Sequence, residues 1–175
     1  LAGSKEIALA RAADAVLVLP QVQAEDLMAR GLVPERLRVL PNGVDATLLT
    51  HHSPAATARE ALGLPAEGRL ALLSLGAGNI NDTSDAVGAV STALRQRGIG
   101  VCVTQPAIAQ RAVDAPDVHV VRDFPIARSF AAFDLGFVAG GYNSFHESLR
   151  LGLPSAFVPN TATNLDDQGR RTGWA

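Results

Sequence analysis

Leu135-Gly-Phe-Val-Ala-Gly-Gly-Tyr-Asn-Ser-Phe-His-Glu-Ser-Leu-Arg-Leu-Gly-Leu-Pro-Ser-Ala-Phe-Val158 decides the fold of this chain. The stretch reads as an apolar strand over Leu135–Ala139, a loop over Gly140–Asn143 and a helix over Ser144–Leu151. Gly152-Leu-Pro154 ends the helix, and Ser155–Val158 makes the next strand. Continuous apolar strands joined by a helix belong to parallel sheets whose faces are both covered.

The same alternation extends upstream. Arg59–Leu62 reads as a short helix and Leu70–Leu75 as a buried strand. A loop from Gly76 to Asp82 leads into a helix over Ser84–Gly98. Val101–Thr104 and Val118–Val121 are strands, and Ile126–Ala132 is a short helix. The expected fold class is α/β, a Rossmann-like parallel sheet with helices on both faces. Ligands of such sheets bind at the carboxyl ends of the strands, where the strand order reverses. Two glycine loops follow strands directly, one at Gly76 and one at Gly140.

The first residues repeat the pattern on a smaller scale. Glu6–Ala13 reads as a helix, Ala15–Leu19 as a strand stopped by Pro20, and Gln21–Arg30 as a helix closed by Gly31. Leu37–Leu40 is a strand, and Pro41-Asn-Gly43 signals a turn. From Ala46 to Thr57 the composition shifts to Thr, His, Ser, Pro and Ala. The expected division is an end of an N-terminal domain over 1–45, a linker over 46–58 and a binding domain over 59–175. The chain starts without Met and stops inside what reads as a helix, so a fragment of a longer protein is expected.

Composition sets limits on function. With 175 residues there is room for one α/β core but not for two Rossmann-like domains of ordinary size. A net charge of −2 gives no hint of a nucleic-acid partner. One cysteine, Cys102, excludes a disulfide framework or a cysteine zinc site and fits a reducing, cytoplasmic compartment. It lies in an apolar run and reads as a buried strand residue. No apolar run reaches membrane-spanning length, and no signal peptide is visible.

The chemistry concentrates after Ala139. Gly140 and Gly141 let the backbone come close to a ligand, and the free N–H groups of a helix start attract an anion. Ser144 reads as a cap or a hydroxyl donor to phosphate. Glu147, one turn in, is placed to accept from vicinal ribose hydroxyls, although a carboxylate there also complements the helix dipole. Asp166-Asp-Gln168 leaves the next strand end, and Asp and Gln are suited to sugar hydroxyls. His146 could touch a phosphate or serve as a base, but reads first as a helix residue packing on the sheet or facing solvent; His51-His52 reads as part of a solvated linker. Arg170 and Arg171 read equally as phosphate neutralisers and as surface arginines.

Gly140-Gly-Tyr-Asn-Ser-Phe-His-Glu147, Gly152-Leu-Pro154, Val158-Pro159 and Asp167-Gln168 together resemble the donor-binding block of GT-B glycosyltransferases. The likeness points to the lipid-II-forming N-acetylglucosaminyltransferase and to transferases sharing its C-terminal domain. The resemblance implies that Gly140, Gly141, Tyr142, Asn143 and Ser144 hold a diphosphate, that Glu147 binds the ribose, and that Asp167 and Gln168 reach the transferred sugar. Gly76 and Gly78 match the family's other glycine turn, although Asn79-Ile-Asn81 stands where a longer glycine-serine run is usual. Val121-Arg-Asp-Phe-Pro-Ile126 resembles the segment that reads the base, with Phe124 or Ile126 beside it; a strand-end apolar pair explains these two equally well.

Arg38-Val-Leu-Pro-Asn-Gly-Val-Asp45 is similar to the segment before the interdomain linker of many GT-B enzymes. Retaining members with that turn usually carry a Glu-x7-Glu block, and only Glu147 is present here, which sides with the inverting group. The resemblance implies transfer of a hexosyl group from a nucleotide-diphosphate sugar, UDP by default, to an acceptor hydroxyl. It implies no divalent metal and no cofactor beyond the nucleotide-sugar donor. The catalytic residue is not assigned, because the base and acceptor site belong largely to the N-terminal domain. Any peripheral membrane contact falls to that domain too, and the 175 residues alone are expected to be inactive.

Three other readings compete. A nucleotide-sugar epimerase or hydrolase of GT-B-like architecture shares the donor crevice but needs no acceptor. A nicotinamide-dependent dehydrogenase wants Gly-x-Gly-x-x-Gly after the first strand, and Gly76-Ala-Gly78 lacks the third glycine. A catalytically silent binding module is the last.

Overall fold

The computed structural model of the chain describes residues 4–18, 21–40, 43, 47, 53–76, 84–107, 117–160 and 168–173. The chain divides into two compact units, 1–43 and 44–175.

In the first unit, α1 (Ser4–Ala12), β1 (Val16–Val18), α2 (Gln21–Ala29) and β2 (Leu37–Val39) follow in order. β1 and β2 pair in parallel, Val16 opposite Leu37. Their core is Val18, Ala24, Leu27, Leu32 and Leu37, with Ile7, Ala10 and Met28 packed against it. Gly31 ends α2 at φ +86°, a left-handed turn that glycine adopts without the Cβ penalty. Arg36 Nη1 donates to the carbonyl of Arg11 at 2.9 Å and Arg11 Nη2 to that of Arg30 at 2.7 Å, tying the end of α1 to its neighbours.

The second unit holds α3 (Ala55–Ala61), β3 (Leu70–Ser74), α4 (Ser84–Arg95), β4 (Gly100–Thr104), β5 (His119–Val121), β6 (Leu135–Ala139), α5 (Tyr142–Leu151), β7 (Ser155–Val158) and α6 (Gln168–Thr172). Five strands form one sheet in the order β5-β4-β3-β6-β7, and every pairing is parallel. Successive strand side chains point to opposite faces, and the core separates accordingly. On one face Leu70, Leu72, Cys102 and Val121 pack with Ala58 of α3 and with Phe130 of the 3-10 segment Ile126–Ala132. On the other, Ala71, Leu73, Val101 and Val103 pack with Leu94, Val87 and Val90 of α4. The expected α/β class, a parallel sheet with helices on both faces in the Rossmann-like manner, is therefore what the chain adopts.

Some local boundaries differ from the reading of the sequence. α3 begins at Ala55, directly after Pro54, so residues 55–58, which composition groups with the linker, form helix, and Ala58 is buried. Proline is well placed at a helix start, where its missing N–H costs nothing. α4 stops at Arg95 rather than at Gly98, which itself turns at φ +70°. α5 starts at Tyr142, two residues before Ser144.

Arg59 fastens α3 to the sheet. Its Nε donates to the carbonyl of Ala132 at 2.9 Å, its Nη1 to those of Ala66 and Gly68, and its Nη2 lies 3.4 Å from Asp134 Oδ2. The same Asp134 oxygen accepts the N–H of Leu70 at 2.8 Å, so one arginine and one aspartate join α3, the start of β3 and the start of β6.

Candidate functional site

From β3 the chain proceeds outward to β4 and β5; it then returns to the other side of β3 and proceeds through β6 to β7. The strand order therefore reverses between β3 and β6, where an open α/β sheet leaves a crevice outside its carboxyl ends. β3 and β6 are hydrogen-bonded neighbours with Ser74 opposite Val138. Two residues beyond that pair on each strand stand Gly76 and Gly140. The two glycine loops of the sequence thus leave adjacent strand ends at the switch point.

Gly140 and Gly141 are glycines for different reasons. A Cβ on Gly140 would lie 2.7 Å from Thr172 Cγ2 and 3.3 Å from Pro159 Cα. The protein itself needs that position bare, because the exit of β7 and α6 close on it. A Cβ on Gly141 would meet nothing within 4 Å among the described residues, and its φ of −61° and ψ of 153° suit any residue. No described side chain or backbone strain requires glycine at 141; its place at a helix start favours glycine, and the described residues leave open space there for an incoming group. Gly76, at φ +88°, needs glycine for its turn and has open space of the same kind.

Gly141 is also the N-cap of α5. Its carbonyl accepts the N–H of Phe145 at 3.0 Å, and as a glycine it offers the helix no side-chain cap. The expectation that Ser144 caps the helix is corrected: Ser144 is the third helical residue, and its carbonyl accepts the hydroxyl of Ser148 at 2.8 Å. Glu147 accordingly sits in the second turn, half-buried, and the first turn carries no acidic residue. The dipole account of Glu147 loses its force, since that effect fades beyond the first turn. Phe145 anchors the helix, buried with its ring 4.6 Å from that of Phe157 on β7.

Gln168 opens α6 and is held at the crevice: its Oε1 accepts the N–H of Asn160 at 2.9 Å. Arg171, one turn on, was only weakly marked by the sequence. Its Nη1 donates to the Gly140 carbonyl at 2.7 Å, and its guanidinium carbon stands 5.4 Å from the centre of the Tyr142 ring. A pair of arginines after a glutamine is ordinary surface composition, and only the fold of α6 onto Gly140 distinguishes Arg171. His146 lies against Tyr142, ring centres 4.3 Å apart and planes inclined at 48°. Burial, and then the nearby Arg171 charge, hold its pKa below the usual histidine value.

Phe124 and Ile126, alike in the sequence, part company. Ile126 packs against the core, whereas Phe124 is 82% exposed beyond β5. β5 stands three places from β6, about 14 Å at the usual strand spacing. A single ligand touching both Phe124 and Gly141 must therefore be extended. At the end of β4, Thr104 Oγ1 lies 3.1 Å from Ser74 Oγ, a polar pair beside the Gly76 turn.

Gly78 and Asp167 lie outside the described residues. Among the described residues no group of three or more His, Cys, Asp or Glu could hold a metal ion, and no helix is long and apolar enough to cross a membrane. Cys102 is fully buried on β4, and desolvation pushes its thiol up to about 12, which makes it an inert core residue. The chain matches no protein-family model, and no curated protein matches it.

Proposed function

We propose that the second unit binds a nucleotide-diphosphate sugar at the carboxyl ends of β3 and β6, as the donor-binding half of an inverting, metal-independent GT-B glycosyltransferase. One observation carries the reading. At the strand-order reversal, a helix of ten residues starts on an N-cap glycine beside which the described residues leave open space.

The chemistry follows from that placement. A helix start attracts an anion through its N–H dipoles, which makes the start of α5 the proposed seat of the diphosphate. Those dipoles stabilise the charge that grows on the leaving nucleotide as an acceptor hydroxyl attacks the anomeric carbon. Gln168, fixed through its carbonyl oxygen, keeps amide N–H donors for a sugar hydroxyl. Exposed Phe124 offers an aromatic face to the base at the far end of an extended ligand. Glu147 takes the ribose by the family resemblance. A UDP-sugar is the donor that the resemblance favours, and the acceptor and its base belong to residues not assigned here.

Calorimetric titration of UDP, GDP and CDP against wild type and Glu147→Ala tests the proposal. UDP is expected to bind, and Glu147→Ala to weaken it about tenfold, the weight of one or two hydrogen bonds to a charged group. Absence of binding by all three nucleotides refutes the site, and unchanged affinity in Glu147→Ala removes the role given to that residue.

A further inference from the structure

The short helix α6 closes on Gly140 through three residues. Arg171 Nη1 donates to its carbonyl at 2.7 Å, and Thr172 Cγ2 occupies the space a side chain there would need. Gln168 Oε1 lies 3.4 Å from the same point and takes the Asn160 N–H, so α6 also holds the exit of β7. The Gly140 N–H is committed as well, to the carbonyl of Val158 at 2.8 Å. Both backbone polar groups of Gly140 are therefore fixed by protein.

We propose that Arg171 is a positioning residue for the donor's diphosphate, acting through the Gly140–Gly141 peptide. A planar trans peptide points its C=O and N–H in opposite directions. With the carbonyl of Gly140 held on the Arg171 guanidinium, the N–H of Gly141 is turned away from α6. Charge assistance makes the hold a strong one, and the Tyr142 ring at 5.4 Å limits where the guanidinium can go. The peptide is set before the ligand arrives, which spares the reorganisation that a loose loop would require. This inference rests on the donor-binding reading and adds to it the element that aims the loop.

The test follows the full chain by nuclear magnetic resonance during UDP titration, in wild type, Arg171→Gln and Arg171→Lys. Arg171→Gln is expected to weaken UDP about tenfold. At UDP saturation the Gly76 amide should still shift while the Gly141 amide no longer does. Arg171→Lys, which keeps a charged donor, is expected to restore most of the affinity and the Gly141 shift. Wild-type affinity in Arg171→Gln overturns the inference, as does equal loss of the Gly76 and Gly141 responses, which marks a merely structural role. Failure of the lysine variant to restore either quantity also counts against it. A wild type that does not bind UDP sinks the donor reading with it, whereas intact binding in Arg171→Gln removes this inference alone.

Discussion

Gly140 and Gly141 are adjacent and identical, yet their surroundings give opposite expectations for the same substitution. A methyl group on Gly140 runs into Thr172 and the Pro159 backbone, and only the threonine can move aside cheaply. Gly140→Ala should therefore destabilise the fold by about 1–3 kcal/mol, the usual range for overpacking. A methyl group on Gly141 meets no described atom and no backbone strain. Gly141→Ala should cost less than about 1 kcal/mol, the difference between two N-cap residues. It should nevertheless lower UDP affinity about tenfold by filling the ligand's approach. Urea unfolding and calorimetry on the two variants separate the cases. A stable Gly141→Ala with wild-type affinity would show that the open space is not used.

Among the elements, the long apolar strands were the most legible in the sequence. β6 and β7 have the bounds that their runs of apolar residues suggest, β6 because it pairs on both sides and β7 although it is a half-exposed edge strand. Helix starts were less legible. Tyr142 and Asn143 are unremarkable at a helix start, and the extended conformation of Gly141, which begins α5 there, is invisible in composition. Reading Ser144 as the cap moved Glu147 into the first turn and gave it a dipole role that it does not have. α3 was shortened in the same way, because its Ala-rich first turn reads as linker until Ala58 is seen against the core. Arg171 and Arg59 illustrate a further limit: the carbonyls that an arginine will reach are set by the packing of other elements.

Arg59 yields a prediction at this scale. Its side chain is largely buried and bridges the carbonyl of Ala132, two loop carbonyls and Asp134. Arg59→Ala leaves those acceptors without their donor and should cost about 2 kcal/mol of stability. Thermal unfolding should show a clearly lowered midpoint with UDP affinity unchanged at a temperature where the variant is folded. A midpoint within error of wild type would show that α3 is held by its apolar contacts alone.

For the molecule as a whole, the order β5-β4-β3-β6-β7 is the fact on which function turns. A sequence can suggest five parallel strands, but the order in which they pair depends on long-range contacts that local patterning does not encode. That order brings the loops at Gly76 and Gly140 to neighbouring strand ends, and it leaves Phe124 three strands away from Gly140. An extended, anionic ligand with an aromatic end suits this arrangement better than a compact one. Backbone amide shifts of the full chain under increasing UDP test this central claim most directly. The donor-binding account predicts saturable shifts concentrated at Gly76, at Gly140–Ser144 and at Phe124, with little change at the amino ends of the strands near Leu70, Gly100 and Leu135. Shifts confined to those opposite ends, or none at saturating UDP, would contradict it.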